Sequence, residues 1–471
     1  MSWTELMSCV QLKETVMTGH REDLAQTWQM ACASHNSYRL GFLGLMLTLL
    51  LTVPASADIF VQCPGDTDGD AEIDDWDDPI LEGRSVRCMH AGAGDGFVNM
   101  SDVRANPTLD EKSGRTRGRH QYMFGFTDLT GHAPEDVMNV GFLDAKWPAP
   151  TIILEENDEF FLSLSNMGMV IRPDLDDPHT VHYHGYPGAS GAFDGVPENT
   201  LSIHMGGTFT YYYNQKQPGT FMWHCHVEAS EHMQMGMIGH LYVHAAQDKT
   251  EDGHVFENGF IHHTGQRYAY NDGDGSSAYD VEKPLLILSF DPEFHDASEN
   301  TQPLPFADMK DTYWMLNGRG YPETTIEANL PNTRDGRYVQ NVDSMIKANK
   351  GEKILLRVVN SSITDTVSIQ SPSIPMKVVG AGASLMRGPC DPTDELEGHV
   401  LVGVTSRDCV SGKDIMFMAT TLSVAGGHTW DLILDTTNVA PGKYFLYTTN
   451  YQYLSNNTED QGGVMTEIVI N

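Results

Sequence analysis

Basic side chains are the scarce component of this sequence: 29 Lys and Arg stand against 64 Asp and Glu, a formal charge of -35 at pH 7. A phosphate backbone is gripped by a basic face, so this balance points away from nucleic acid as a partner. Long apolar runs are missing too. The longest, Leu40 to Val53, has 14 residues, short of the roughly 20 needed to cross a bilayer as a helix. Cysteine is sparse, with seven in 471 residues. What is present suffices for folding: 40% of residues are hydrophobic, which excludes wholesale disorder and, at this length, predicts two or three domains with real cores. The surplus acid serves either solubility or the attraction of a basic redox partner.

The short apolar run decides the expected compartment. Arg39 precedes it, and Pro54-Ala55-Ser56-Ala57 follows it with small residues at cleavage-site spacing. This reads as a secretory signal peptide, with an uncleaved anchor as the alternative, so the mature chain is expected in the periplasm or secreted, without a membrane span. Residues 1–38 are either a long n-region or an artefact of the start codon, and 1–57 are set aside as leader. Cys9 and Cys32 leave with it. Of the remaining cysteines, Cys63/Cys88 and Cys390/Cys409 lie close in sequence and are expected as two local disulfides. Cys225 is then unpaired.

Residues 58–118 read as an acidic N-terminal extension. Within it Asp66, Asp68, Asp70, Asp74 and Asp77 fall at the oxygen-bearing positions of a calcium loop. Ala71 stands where the tight turn prefers Gly and no Glu closes the loop, so calcium and a solvated acidic loop both remain open. From 119 to 246 short alternating runs, among them 121–126, 160–166, 208–213, 220–224 and 239–244, are separated by Gly, Pro and Asn. They predict a Greek-key β-sandwich. Residues 247–283 are polar and read as a linker, and strands resume over 284–471. The expected class is all-β: two cupredoxin-like Greek-key sandwiches behind an acidic extension.

Histidine carries the chemistry. Eight occur between 179 and 240, in the ordered groups His179-Thr-Val-His182-Tyr-His184 and His224-Cys225-His226, followed by His232 and Met237. Side chains alternate along a strand, so His182 and His184 share a face, as do His224 and His226, while Cys225 points the other way. Two back-to-back metal sites are predicted. One gathers the Cys225 thiolate, the His179 and His232 imidazoles and the Met237 thioether, a donor set that suits copper better than zinc and is expected of a blue copper centre. Met233 and Met235 compete with Met237 or pack around the site. The other gathers His182, His184, His224 and His226, which again suit copper.

Trp147-Pro-Ala-Pro-Thr-Ile152, the stretch 179–185, Asp194-Gly-Val-Pro197, Gly219-Thr-Phe-Met-Trp-His-Cys-His226 and Met235-Gly-Met237 together resemble the two-domain multicopper oxidases, laccase-like proteins related to the copper nitrite reductases. The resemblance covers 119–471 and is weaker in the second half. It implies a type 1 copper at His179, Cys225, His232 and Met237, and half of a trinuclear cluster at His182, His184, His224 and His226. The loop here is H-C-H-x5-H, two residues longer than the family's usual spacing. In the second half the family draws four more imidazoles from H-x-H pairs, but the corresponding stretches 366–371 and 444–450 hold no histidine; His399 and His428 are single loop histidines. An exported copper oxidoreductase, oxidising a small reductant, a metal ion or a redox protein with oxygen as acceptor, is the first expectation. An electron-transfer or copper-handling protein without a complete trinuclear site is the alternative, and a nitrite-reductase-like enzyme the third. The resemblance also implies a homotrimer. A Cys225→Ser variant is expected to lose the blue absorption entirely; full retention of colour by absorption spectroscopy would refute the ligand assignment.

Overall fold

Runs of β-branched and aromatic residues, broken by Gly, Pro and Asn, become strands in the computed structural model, which describes residues 59–101, 120–256, 258–387, 414–457 and 459–471. The first sandwich is built from β1 (Val86–Val98), β2 (Gln121–Asp128), β3 (Ala149–Glu155), β4 (Glu159–Gly168), β5 (His182–His184), β6 (Thr208–Asn214), β7 (Gly219–His224) and β8 (Ile238–His244). One sheet has the order β2-β1-β4-β6 and the other β3-β8-β7-β5. After a small hairpin of β9 (Arg267–Tyr268) and β10 (Ala278–Tyr279) comes the second sandwich. Its strands β11 (Val281–Phe290), β12 (Tyr313–Leu316), β16 (Lys353–Asn360), β18 (Met376–Ala381), β19 (Phe417–Ala419) and β21 (Thr429–Asp435) form one sheet. Strands β15 (Ile346–Ala348), β17 (Val367–Gln370), β20 (Thr421–Val424), β22 (Gly442–Thr448) and β23 (Met465–Ile470) form the other, and β13 (Leu330–Pro331) pairs with β14 (Tyr338–Gln340). The expected all-β class with two sandwiches is what the chain adopts.

Strand β1 lies inside the stretch read as an extension, yet it is hydrogen-bonded between β2 and β4, antiparallel to the first and parallel to the second. Its sequence, Val-Arg-Cys-Met-His-Ala-Gly-Ala-Gly-Asp-Gly-Phe-Val, shows no apolar alternation because the strand is buried along nearly its whole length. Small residues are needed on its outer face. A Cβ at Gly92 would lie 2.6 Å from the Leu129 side chain, and one at Gly96 3.2 Å from Ala145. Cys63 and Cys88 form the expected disulfide, which ties the acidic loop to this strand. The expected pair Cys390/Cys409, His399 and residues 1–57 lie outside the described residues.

Each sandwich has its own core, with Leu162, Leu164, Tyr183, Tyr213, Trp223 and Leu241 in the first and Ile287, Leu356, Val358, Ile369, Leu432 and Ile468 in the second. A third apolar cluster joins them through Val98, Trp147, Met222 and Ile238 on one side and Leu286, Phe290, Met315 and Val359 on the other. Beside this cluster runs a buried chain of charge. Arg357, fully buried, donates from Nε to Glu282 at 2.5 Å, and its Nη1 stands 3.4 Å from Asp431, itself fully buried. Asp431 also accepts from Tyr270 and, at 2.5 Å, from Thr220 of β7. His244 of β8 stands 2.9 Å from Glu155 and 2.9 Å from Glu282.

Removing one member of a buried charge set strands the others, which costs about 3–5 kcal/mol. Arg357→Leu is therefore expected to lower stability by that order in urea titration, with Asp431 left without a cation and Glu282 with His244 alone; a change under about 1 kcal/mol would refute the coupling. Burial alone would lower the His244 imidazole, but its hydrogen bonds to Glu155 and Glu282 raise it above the ordinary value. A raised folded-state value means that its stabilisation is full below the unfolded value of about 6.5 and is lost as pH rises through the folded one. His244→Gln should thus flatten the fall of stability with pH above about 6.5, read from urea midpoints across that range; parallel curves would contradict it.

Candidate metal centres

The two candidate centres sit on opposite sides of one short stretch of backbone. Strand β5 pairs antiparallel with β7 so that His182 stands opposite His224 and Tyr183 opposite Trp223. Tyr183 and Trp223 point into the sandwich core and are fully buried, which turns the histidines flanking Tyr183 outward together. β7 ends at His224, and the backbone N–H of Cys225 still donates to the Met237 carbonyl at 3.1 Å.

On the core side the ligand atoms of His179, Cys225 and His232 lie within 4.8 Å of one another, all three residues buried. Cys225 Sγ is 3.1 Å from His232 Nδ1 and 3.9 Å from His179 Nδ1, and it accepts from the Thr180 N–H at 3.4 Å. Burial alone would raise the Cys225 thiol, but the His232 and His179 imidazoles outweigh it and bring it down to about 5. His232 is held on its far side by Asp177, whose carboxylate is 3.1 Å from Nε2. Although burial disfavours its charge, Cys225 and Asp177 raise His232 well above the usual value. The helix Ala229–Met235 carries His232 and ends at Gly236, whose φ of +122° and closeness to the Phe124 carbonyl, 2.5 Å from a built Cβ, leave room only for glycine. That turn delivers Met237, whose N–H donates to the His232 carbonyl at 2.8 Å. Met233 packs on the cluster between the sandwiches, whereas Met235 and Met237 are both buried in the core cluster that contains Cys225.

On the other side His182, His184 and His224 bring their ligand atoms within 4.8 Å of one another. The His226 ring centroid is 5.0 Å from that of His182 and 5.6 Å from that of His224, so all four expected imidazoles converge. Two of them are oriented by backbone carbonyls: His182 Nδ1–H donates to Asp194 at 2.6 Å and His224 Nδ1–H to Cys225 at 2.7 Å, which leaves each Nε2 for a metal. The Asp194 contact depends on Gly195, where a Cβ would lie 1.9 Å from the Val181 carbonyl oxygen. Burial lowers His182, His184 and His224, the last to about 3, so these imidazoles are neutral at pH 7, as metal ligation requires.

The second sandwich reaches this group through a loop. A Cβ on Gly427 would stand 3.0 Å from His184 Nε2. The neighbouring His428 ring packs on Trp430, centroids 4.9 Å apart, and is not one of the gathered ligands. Strands β17 and β22 hold no histidine, as expected. Asp177, Thr180 and the Asp194 carbonyl went unrecognised as supporting groups in the sequence. Their signal was position alone, immediately beside His179 or within the Asp-Gly-Val-Pro turn.

In the acidic loop Asp66, Asp68 and Asp70 converge, but Asp66 accepts from the N–H groups of Asp68, Gly69 and Ala71 of its own loop. Asp74 turns to Thr67 at 3.0 Å. The calcium expectation finds no further support.

Residues 130–248 match the sequence family described as multicopper oxidase. The chain is 28% identical over 219 residues to the multicopper oxidase MmcO of Mycobacterium tuberculosis (strain ATCC 25618 / H37Rv), a match spanning 46% of this chain and only 37% of that protein. Among solved structures, the fold is similar to the blue copper oxidase from Nitrosomonas europaea, with a TM-score of 0.51 at 18% identity over 82% of this chain and 86% of that one. It is also similar to the multicopper oxidase mgLAC, with a TM-score of 0.52 at 16% identity and the same two coverages. The similarity to multicopper oxidases is thus one of sequence over residues 130–248 and of fold over most of the chain.

Proposed function

We propose that this chain is an exported copper oxidoreductase of multicopper-oxidase type, with a type 1 centre at His179, Cys225, His232 and Met237 and an inner centre at His182, His184, His224 and His226. The observation that carries this reading is the pair of donor sets joined through one covalent stretch, His224-Cys225-His226. A buried low-pKa thiol beside two imidazoles, with thioethers in the same core cluster, fits copper. Copper held by these residues would supply one-electron redox chemistry, suited to a small reductant, a metal ion or a redox protein as donor and oxygen as acceptor.

The chain's own groups prepare that chemistry. Thr180 N–H donates to the sulfur and steadies negative charge on it. Asp177 orients His232, its carboxylate 3.1 Å from Nε2. The carbonyls of Asp194 and Cys225 fix the ring orientation of His182 and His224. The Cys63–Cys88 disulfide supports an oxidising compartment, periplasmic or extracellular.

A second reading, an electron-transfer or copper-handling protein, is favoured by one observation: among the described residues the second sandwich contributes no histidine to the inner group. A nitrite-reductase-like activity lacks a second-sandwich histidine for the same reason. A homotrimer is part of the proposal, resting on the resemblance to two-domain multicopper oxidases alone; light scattering on the purified protein tests it, and a monomer would remove it.

Copper content, absorption and oxygen uptake of the purified protein separate the readings. The oxidase reading expects an intense blue band, more than one copper per chain and oxygen consumption with a suitable reductant. One copper per chain, a blue band and no oxygen uptake would sink the oxidase and leave the electron-transfer protein.

A further inference from the structure

The helix that carries His232 is held from outside its own sandwich. His295 lies in the helix Pro292–Glu299, just after β11, and is fully buried. Its Nδ1 is 2.5 Å from the Tyr122 carbonyl of β2, and its Nε2 is 2.9 Å from the Gln234 carbonyl, two residues beyond His232. The ring stacks on Phe290 with centroids 3.6 Å apart. Burial outweighs the two carbonyls and brings the imidazole down to about 4, so the neutral ring donates its one N–H to one carbonyl and lies against the other.

The same ligand helix is tied a second time, because the Gln234 side chain donates from Nε2 to Asp311 at 3.0 Å. The helix bearing His295 is itself pinned to the first sandwich. Phe294 is buried in the core cluster that contains Cys225, and Arg172 donates to the Ser298 carbonyl. Asp291 caps its N-terminus by accepting from the Glu293 N–H at 2.9 Å, and also accepts from the Lys310 N–H at 2.7 Å. Through Gln234 these contacts reach the seven-residue helix that sets where His232 stands relative to Cys225 and Met237.

We propose that His295, from the second half of the chain, is a positioning residue for the Cys225 centre: wedged between the Tyr122 and Gln234 carbonyls and donating to one of them, it fixes the ligand helix and so tunes the bound copper. The inference rests on the reading that this centre holds copper. Supporting groups around a metal site are worth about 10–100-fold in metal affinity.

The test uses His295→Phe in the full, copper-loaded protein, which keeps an aromatic ring against Phe290 and removes the hydrogen bond to the carbonyls. Copper retention against a chelator is expected to weaken by about tenfold or more, with the blue band displaced and the reduction potential changed. Thermal melting of the copper-free protein reads fold stability separately. A variant that melts earlier but keeps the affinity, band and potential of the wild type would overturn the inference, since a merely structural role moves melting alone. Should His295→Phe fail to accumulate as folded protein, Gln234→Met decides. It removes the tie to Asp311, and a smaller shift of affinity and band supports the clamp while unchanged values overturn it. A wild-type protein that takes up copper without a blue band would overturn the reading of the centre itself, and the inference with it.

Discussion

The register of β5 against β7 is the constraint on which both centres depend. Setting His182 opposite His224 assigns every neighbouring side chain to one of two sides, because a shift by one residue would exchange faces throughout. Tyr183 and Trp223 secure that register from the core side: Tyr183 stacks on Tyr213 with centroids 3.9 Å apart, and Trp223 on Phe126 at 4.6 Å. Aromatic burial of this kind is worth several kcal/mol, far more than any one metal-free contact among the histidines. The sandwich core thus organises the donors before any metal arrives, and the histidines and Cys225 inherit their places from residues with no role in the chemistry.

Electrostatics then divides the two sides. Around Cys225 the thiol and His232 stabilise each other's charge in a buried setting, with Asp177 behind the imidazole. Around His224 no acid intrudes as closely; carbonyls orient the rings and burial keeps them neutral. One side is built for an anionic soft donor and the other for a set of neutral nitrogen donors, although a single peptide bond separates Cys225 from His224. Such asymmetry is what copper in two different roles would require.

Much of this was legible in the sequence because it rests on local periodicity. The H-x-H and H-C-H spacings predict faces directly, and alternating runs such as 208–213 and 220–224 reappear as β6 and β7. Strand β1 escaped notice because burial of both faces replaces alternation with small residues, so Ala91-Gly-Ala-Gly-Asp-Gly96 looks like loop. The supports of the centre were hidden for another reason. Asp177, Asp194, His295 and Asp311 act through contacts that join distant parts of the chain, and no spacing rule relates His295 to Gln234, 61 residues earlier. The second-half strands were legible as strands, while their lack of histidine was legible only as a departure from the family pattern.

The buried charge chain beside the apolar seam bears on how the molecule can move. Swinging the two sandwiches apart would separate Arg357 from Thr220 and His244 from Glu282, exposing charges whose attraction is strong only while water is excluded. Hinge motion between the halves is therefore costly, and any opening needed for a reductant or an acceptor falls to surface loops. A framework that does not hinge also holds its donor atoms still; if the proposed copper is bound there, little nuclear rearrangement would accompany a change of its oxidation state, the condition under which electrons exchange quickly at small driving force.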